Sequence, residues 1–130
     1  MTKLLTLALS MAFLMTFFLN LFKKDNIKII SPKKFQTEIS KDNVQLIDVR
    51  TKSEFDEGHI KDAALLNVQD SISFADGVND FDKEKPVYIY CRSGKRSHKA
   101  ALIFDKSGFK VYELKGGILN WKNSDLPLEP

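Results

Sequence analysis

The chain has 130 residues, of which 43% are hydrophobic and 28% are charged, proportions that predict one folded domain with its own core. Its net charge of +3 at pH 7 is too small for the broad basic face of a nucleic-acid-binding protein, so we expect no nucleic-acid partner. The one cysteine excludes an internal disulfide and a cluster of Cys and His ligands, and we expect neither a metal nor another cofactor.

The first segment, residues 4–22, is almost entirely apolar. Its four polar interruptions are Thr6, Ser10, Thr16 and Asn20. As a helix rising about 1.5 Å per residue it would extend roughly 28 Å, close to the hydrocarbon thickness of a bilayer. We therefore predict that residues 1–24 anchor the chain in a membrane. The alternatives are a buried core helix and a cleaved export signal, which the length of the run and the lack of a small-residue cleavage site disfavour.

The sequence does not decide which side of the membrane the rest of the chain occupies. Lys23, Lys24 and Lys28 follow the apolar segment, whereas Lys3 and the amino terminus precede it, which favours a cytoplasmic domain. The likeness to an export signal favours the opposite side. The prediction is therefore attachment to a membrane, or export if the segment is cleaved.

Residues 25–130 alternate between strand-like and helix-like segments. Five apolar segments predict strands at residues 27–30, 44–49, 63–68, 87–90 and 110–114. Helices are predicted between them, opening at Pro32, opening at Thr51 and ending near Gly58, over residues 71–81 and 97–106, and after Gly117. This order predicts a three-layer α/β domain in which helices flank a mostly parallel five-stranded sheet. In such sheets ligands bind beyond the carboxyl ends of the strands.

Local signals support several of these helix boundaries. Ser31 before Pro32 is typical of an N-cap with proline at the first helical position. Thr51 and Glu54 have the spacing of a capping box. Gly108 is suited to end the helix that precedes the last strand. Capping chemistry and hydrophobic periodicity therefore point to the same alternating order.

A seven-residue loop from Cys91 to Ser97 contains the residues with the most specific chemistry. Cys91 directly follows the uncharged strand of residues 87–90, so it should lie at the carboxyl edge of the sheet. Residues 91–99 contain four cations and no acid, which is more positive charge than the whole chain carries net. We interpret the loop as a focused anion site built around a cysteine.

Three features of this loop would favour the thiolate, the nucleophilic form of a cysteine that ordinarily titrates near about 8.5. The loop amides can form an anion-binding nest, a helix beginning near Ser97 would point its positive end at the sulfur, and Arg92, Lys95 and Arg96 add full charges. Gly94 permits the tight turn, and the Ser97 hydroxyl could donate a hydrogen bond to the sulfur anion.

The same features suit an anionic sulfur donor such as thiosulfate. Cys91 would attack its outer sulfur, sulfite would leave, and the resulting persulfide would pass its sulfur to cyanide or a thiol. The acceptor must be external, because the chain has no second cysteine. A cysteine-dependent phosphatase or arsenate reductase would need an arginine six positions after the cysteine, where this chain has Ser97. The spacing therefore favours sulfur over phosphate.

Four segments of the chain resemble the signatures of the single-domain rhodanese (thiosulfate sulfurtransferase) family, over about residues 30–128. They are residues 46–50 with Glu54 and Phe55, residues 58–60 with Ala63 and Asn67, the loop from Cys91 to Ser97, and residues 114–117 with Trp121, Leu126 and Pro127. The loop is the most specific of the four. The order and spacing of all four together carry the resemblance.

The resemblance implies a role for each candidate residue. Cys91 is expected to carry the persulfide, and the substrate-binding loop comprises Arg92, Ser93, Gly94, Lys95, Arg96 and Ser97. Asp48 and Arg50 are expected to be a structural pair. The family pattern assigns His59 to a structural turn rather than to a general base. From their positions in the sequence, His98 is expected on a helix surface and Trp121 in the core. Asp62 stands where the family commonly has glycine, so the turn there could have a different shape.

The resemblance leaves one further alternative open. A rhodanese-like domain could act as a binding or regulatory module without turnover, and partner capture that survives replacement of Cys91 would be its sign. The leading interpretation remains a membrane-tethered sulfurtransferase with an anionic small-molecule donor.

Overall fold

The computed structural model describes residues 1–22 and 24–130, so the role predicted for Lys23 at the end of the anchor lies outside the described residues. The first helix, α1, covers Thr2–Leu21, and none of its residues is buried. It is long and apolar enough to cross a membrane, although a signal sequence or a helix of a soluble protein can have the same length and composition.

Five strands and five further helices follow α1 in the predicted order. They are β1 (Ile27–Ile30), α2 (Pro32–Ile39), β2 (Gln45–Asp48), α3 (Lys52–Glu57), β3 (Ala64–Leu65), α4 (Ser71–Val78), β4 (Val87–Tyr90), α5 (Lys95–Lys106), β5 (Val111–Leu114) and α6 (Gly117–Asn123). The strands form one sheet in the order β1-β5-β4-β2-β3, and every pairing is parallel. The predicted α/β class and the five-stranded parallel sheet are confirmed.

Two hydrophobic clusters cover the two faces of the sheet. On one face, α4 and α5 contribute Phe74 and Phe104, which pack with sheet residues such as Ile89. On the other face, α2 and α6 contribute Phe35 and Trp121, whose rings meet edge to face with centroids 6.3 Å apart. The central strand β4 is buried along its whole length, as its uncharged sequence predicts. Helices on both faces make the predicted three layers.

The predicted caps are present. The Ser31 hydroxyl accepts from the Lys34 amide at 3.4 Å, at the start of α2. Thr51 and Glu54 form the reciprocal capping box at the start of α3. Asp62 adopts a φ of +66°, so the aspartate takes the left-handed conformation that glycine usually provides. The turn therefore needs no glycine to form.

Three predicted boundaries were wrong. The third strand is only Ala64–Leu65 rather than residues 63–68, although the Leu66 and Val68 amides still bond to carbonyls of Asp48 and Val49. The fourth helix, α4, ends at Val78 rather than at residue 81. The helix predicted over residues 97–106 begins at Lys95, because Gly94, with a φ of +109°, takes the N-cap position without any capping side chain.

Candidate active site

The cysteine lies at the carboxyl end of the middle strand of the sheet, where the sequence predicts it. Cys91 is 1% exposed and packs in the same cluster as α4 and α5. The carbonyl of Cys91 accepts from the Ile118 amide at 2.9 Å, and that of Arg92 accepts from the Leu119 amide at 3.2 Å. The first turn of α6 therefore holds the start of the loop in place.

A glycine makes this close approach of α6 possible. Gly117 has a φ of +64°, and a Cβ atom at this position would collide with the carbonyl of Arg92 and lie 2.6 Å from the carbonyl oxygen of Cys91. A side chain at this position is therefore excluded by both the backbone conformation and the space.

The sulfur receives one backbone hydrogen bond within its own loop. The Gly94 amide donates to the Cys91 Sγ at 3.0 Å, and it is the one amide doing so in the part of the chain that the structure describes. Gly94, with its positive φ, is also the N-cap residue of α5, which starts at the next residue. The amide and the N-terminal end of α5 both favour negative charge on the sulfur.

The four cations of residues 91–99 differ in their exposure and contacts. Arg92, Lys95 and Lys99 are exposed. Arg96 instead makes two hydrogen bonds to Glu54, with Nη1 to Oε1 at 2.6 Å and Nη2 to Oε2 at 2.8 Å. The hydrogen bonds from Arg96 lower the pKa of Glu54 to about 2, and Glu54 in turn raises the pKa of Arg96. The charge of Arg96 is thus shared with a partner that the sequence reasoning did not assign to it.

The Ser97 hydroxyl does not have the single partner that the sequence reasoning expected. Ser97 is fully buried, and its Oγ lies 3.5 Å from the Cys91 Sγ, in a geometry in which the thiol donates to the hydroxyl oxygen. The hydroxyl donates toward the Gly94 carbonyl and the Glu113 Oε1, each at 3.1 Å. The expected donation from Ser97 to the sulfur anion therefore competes with a carboxylate.

Glu113 and His98 complete this cluster. Glu113 is 2% exposed in β5, and its Oε2 lies 3.1 Å from the Nδ1 of His98. The side chain of His98 is 55% exposed, so it lies on the helix surface as predicted and also contacts the buried acid. Glu113 was missed from the sequence, although one acid within the apolar segment Val111–Leu114 is the signal that could have indicated it.

Asp48 and Arg50 form a buried ion pair beside the loop. The Arg50 Nη2 lies 2.7 Å from Asp48 Oδ2 and also donates to the Gly58 carbonyl at 2.8 Å. Its guanidinium carbon lies 5.7 Å from the centre of the Tyr90 ring. The Tyr90 hydroxyl accepts from the Ile60 amide at 3.1 Å, and burial raises the pKa of Tyr90. These contacts join β2, β4 and the turn after α3.

The two remaining aromatic candidates lie in structural positions. His59 stacks on Phe55 with ring centroids 3.7 Å apart, and its Nδ1 lies 3.0 Å from the carbonyl of Phe55. Trp121 is 1% exposed and donates from Nε1 to the Pro127 carbonyl at 2.9 Å. Within the described part of the chain, neither side chain makes a hydrogen bond or an aromatic contact with residues 91–97.

The family to which the chain belongs follows from comparison with known proteins. The rhodanese-like domain matches residues 31–124, which include every strand but β1 and the whole loop. The chain belongs to the rhodanese-like family. This is the family that the four sequence segments resemble.

Three relatives show how varied the members of the family are. A protein of Allochromatium vinosum named sulfurtransferase is 35% identical over 88 residues, covering 67% of this chain and 79% of that protein. The uncharacterised protein YibN of Escherichia coli is 33% identical over 125 residues, covering 94% of this chain and 85% of YibN. A tRNA uridine(34) hydroxylase of Pelagibacter ubique is 37% identical over 100 residues, covering 76% of this chain. This match spans only 33% of the length of the hydroxylase.

A solved structure agrees with the fold. The crystal structure of a rhodanese-like domain protein from Staphylococcus aureus superimposes with a TM-score of 0.68 and 28% sequence identity. The superposition covers 79% of this chain and 99% of that one. The rhodanese fold therefore accounts for almost all of the chain outside α1.

Proposed function

We propose that this protein is a sulfurtransferase that carries sulfur as a persulfide on Cys91. The observation that carries the proposal is the geometry at the sulfur. The Cys91 Sγ accepts the Gly94 amide at 3.0 Å at the N-terminal end of α5, with Arg92 and Lys95 exposed beside it. A thiolate is stabilised by such an amide and helix end, and exposed cations attract an anionic donor.

Sulfur transfer proceeds in two steps, formation of the Cys91 persulfide and its discharge. The Cys91 thiolate attacks the outer sulfur of thiosulfate, a new S–S bond forms, the S–S bond of the donor breaks, and sulfite leaves with the electron pair. Cyanide or a thiolate then attacks the outer sulfur of the persulfide, and Cys91 leaves as the thiolate. No net oxidation occurs, so this chemistry needs no cofactor. The sole cysteine fits a carrier whose acceptor is another molecule.

Thiocyanate formation from thiosulfate and cyanide tests the proposal. The wild-type protein should turn over, and Cys91→Ser should be inactive while keeping the wild-type melting temperature. Arg92→Gln, which retains the nucleophile, should be slowed mainly at low donor concentration. Turnover of an aryl phosphate or arsenate without any turnover of thiosulfate would reject sulfur transfer. Partner capture that survives Cys91→Ser, again without turnover, would favour a binding module.

We further propose that residues 4–22 anchor the protein in a membrane. The hydroxyls of Thr6, Ser10 and Thr16 donate to carbonyls one turn earlier in α1, at distances of 2.8 to 3.1 Å. A helix in hydrocarbon must satisfy its polar groups internally, and these bonds do so for the three hydroxyls. The match to YibN covers 94% of this chain and so extends into this helix.

Fractionation of cells expressing the full chain tests the anchor. The protein should stay with the membranes after an alkaline wash, and a deletion of residues 1–24 should release it while preserving its melting temperature. A mature protein that lacks the segment by mass would identify a cleaved signal and reject the anchor. A reporter fused after Pro130 determines the side of the membrane.

A further inference from the structure

The buried acid Glu113 has no part in the two-step transfer. It lies in β5 between Ile29 of β1 and Ile89 of β4 in the strand register, so its strand neighbours offer it no charge. A buried carboxylate needs hydrogen-bond donors to offset the loss of water. Glu113 finds them in α5, at Ser97 through Oε1 and at His98 through Oε2, each at 3.1 Å.

These contacts connect the acid to the reactive sulfur through one side chain. The Ser97 Oγ lies 3.1 Å from Glu113 and 3.5 Å from the Cys91 Sγ. Ser97 has a single hydroxyl hydrogen, and three acceptors compete for it: the Gly94 carbonyl, the carboxylate of Glu113 and the sulfur once it is ionised. Hydrogen bonds to an ionised oxygen are about twice as strong as neutral ones, so the carboxylate takes the hydrogen.

The direction of that hydrogen determines which form of the sulfur is favoured. When Ser97 donates to Glu113, it presents an oxygen lone pair to the sulfur, which suits the S–H of the thiol. When Glu113 is neutral, the hydroxyl is free to turn and donate to a thiolate. We propose that Glu113 is a positioning residue that restrains ionisation of Cys91 through the Ser97 hydroxyl.

Other charged groups also lie near Glu113 and Cys91. His98 contacts Glu113 and neutralises it when protonated, and Lys95 and Lys115 line the same cavity as Glu113 and His98. Near the sulfur, Arg92 is exposed and Arg96 is paired with Glu54. The Asp48–Arg50 pair ends β2 beside Tyr90, and α6 contributes the backbone amides of Ile118 and Leu119. All of these groups remain in the variants below, so they act equally on each.

The pH at which the ultraviolet absorbance of the thiolate reaches half its maximum tests the proposal. The single cysteine makes the signal specific, and a Cys91→Ser spectrum removes the contribution of the tyrosines. Glu113→Gln should move this midpoint to lower pH by about one unit, a tenfold change in the ionisation constant. The matched control Glu84→Gln removes an exposed acid at the amino end of β4 and should leave the midpoint unchanged.

Ser97→Ala separates the hydroxyl from a simple effect of charge. In the wild-type background it removes an acceptor for the thiol, so the midpoint should fall. In the Glu113→Gln background it removes a donor to the thiolate, so the midpoint should rise. Shifts in the same direction in both backgrounds, or no shift in Glu113→Gln, would overturn the proposal. If Glu113→Gln fails to fold, a higher midpoint in Ser97→Ala alone overturns it.

The inference rests on the proposed function only in treating Cys91 as the nucleophile. The absorbance measurement uses no sulfur donor, so the two proposals can fail separately. If the predicted shifts occur without sulfur transfer, Glu113 controls the ionisation of Cys91 in a protein that is not a sulfurtransferase. If transfer occurs without the shifts, the protein is a sulfurtransferase in which other groups control that ionisation.

Discussion

Arg96 and Glu54 form an ion pair with two hydrogen bonds between the Cys91 loop and the first turn of α3, with Nη1 to Oε1 at 2.6 Å and Nη2 to Oε2 at 2.8 Å. Glu54 also completes the capping box with Thr51. The Glu54 carboxylate therefore caps α3 and also binds Arg96 at the start of α5. The position of the Cys91 loop consequently depends on α3.

The Glu54–Arg96 pair should make stability fall in acid. The pKa of Glu54 is about 2 in the folded protein, below its ordinary 4.5, so the unfolded chain binds its proton first as the pH drops. The contribution is complete above about pH 5 and is lost as the pH falls toward about 2. Because the pair is open to solvent on one side, we expect about 1 kcal/mol.

Urea unfolding at about pH 6 and about pH 3 checks this expectation. The free energy of unfolding should fall less between the two pH values in Glu54→Gln than in the wild type. Glu57→Gln, an exposed acid on the same helix, should match the wild type. Parallel losses in the wild type and Glu54→Gln would show that the pair does not contribute.

Arg92 and Lys95 are the loop cations without an ion-pair partner among residues 1–22 and 24–130, so they should capture the donor. Replacing either with glutamine should raise the KM for thiosulfate several-fold and change kcat little, and added salt should reduce the difference. Lys106→Gln, at the far end of α5, is the matched control. A change confined to kcat would contradict a role in capture.

Gly117→Ala should disrupt the loop more than its backbone angle alone explains. Its Cβ would collide with the carbonyl of Arg92, so we expect a loss of about 3 kcal/mol or more in stability together with lost turnover. Gly108→Ala is the control, because Gly108 also has a positive φ, of +96°, but no atom within 4 Å of the added Cβ. Equal effects at both glycines would mean that the collision does not matter.

Breaking the buried Asp48–Arg50 ion pair should destabilise the whole domain. Arg50→Ala leaves Asp48 buried without its guanidinium, and we expect a loss of about 3–5 kcal/mol in the free energy of unfolding. Lys52→Ala breaks the exposed pair with Asp56 on α3 and should cost less than about 0.5 kcal/mol. Comparable losses in the two variants, measured by urea unfolding, would contradict the scaffold role of Arg50.

The order of elements was predictable because each strand and helix has a local signal. The uncharged strand Val87–Tyr90 and the capping box at Thr51 depend on residues close together in the chain. The start of α5 was not predictable from caps, since Gly94 caps it through its backbone angle alone. The helix was predicted to start at Ser97, which is two residues late.

The predicted centre of the site, Cys91 in its loop, lies where parallel-sheet topology requires. Its partners were harder to predict because they come from distant segments. Glu54 lies 42 residues before Arg96, and Glu113 lies 16 residues after Ser97, so no local spacing connects them. Only the tertiary fold brings Glu54, from the cap of α3, and Glu113, from β5, to the loop.

The mass of the intact protein after exposure to a sulfur donor tests the central claim most directly. Incubation with thiosulfate, followed by removal of the donor, should add the mass of one sulfur atom, located on Cys91 by peptide mapping. A thiol acceptor should remove it, and Cys91→Ser should show no addition. Donors should be compared in parallel, with a protein persulfide and mercaptopyruvate beside thiosulfate. A wild-type Cys91 that reacts with an alkylating agent yet gains no sulfur from any of these donors would contradict the account.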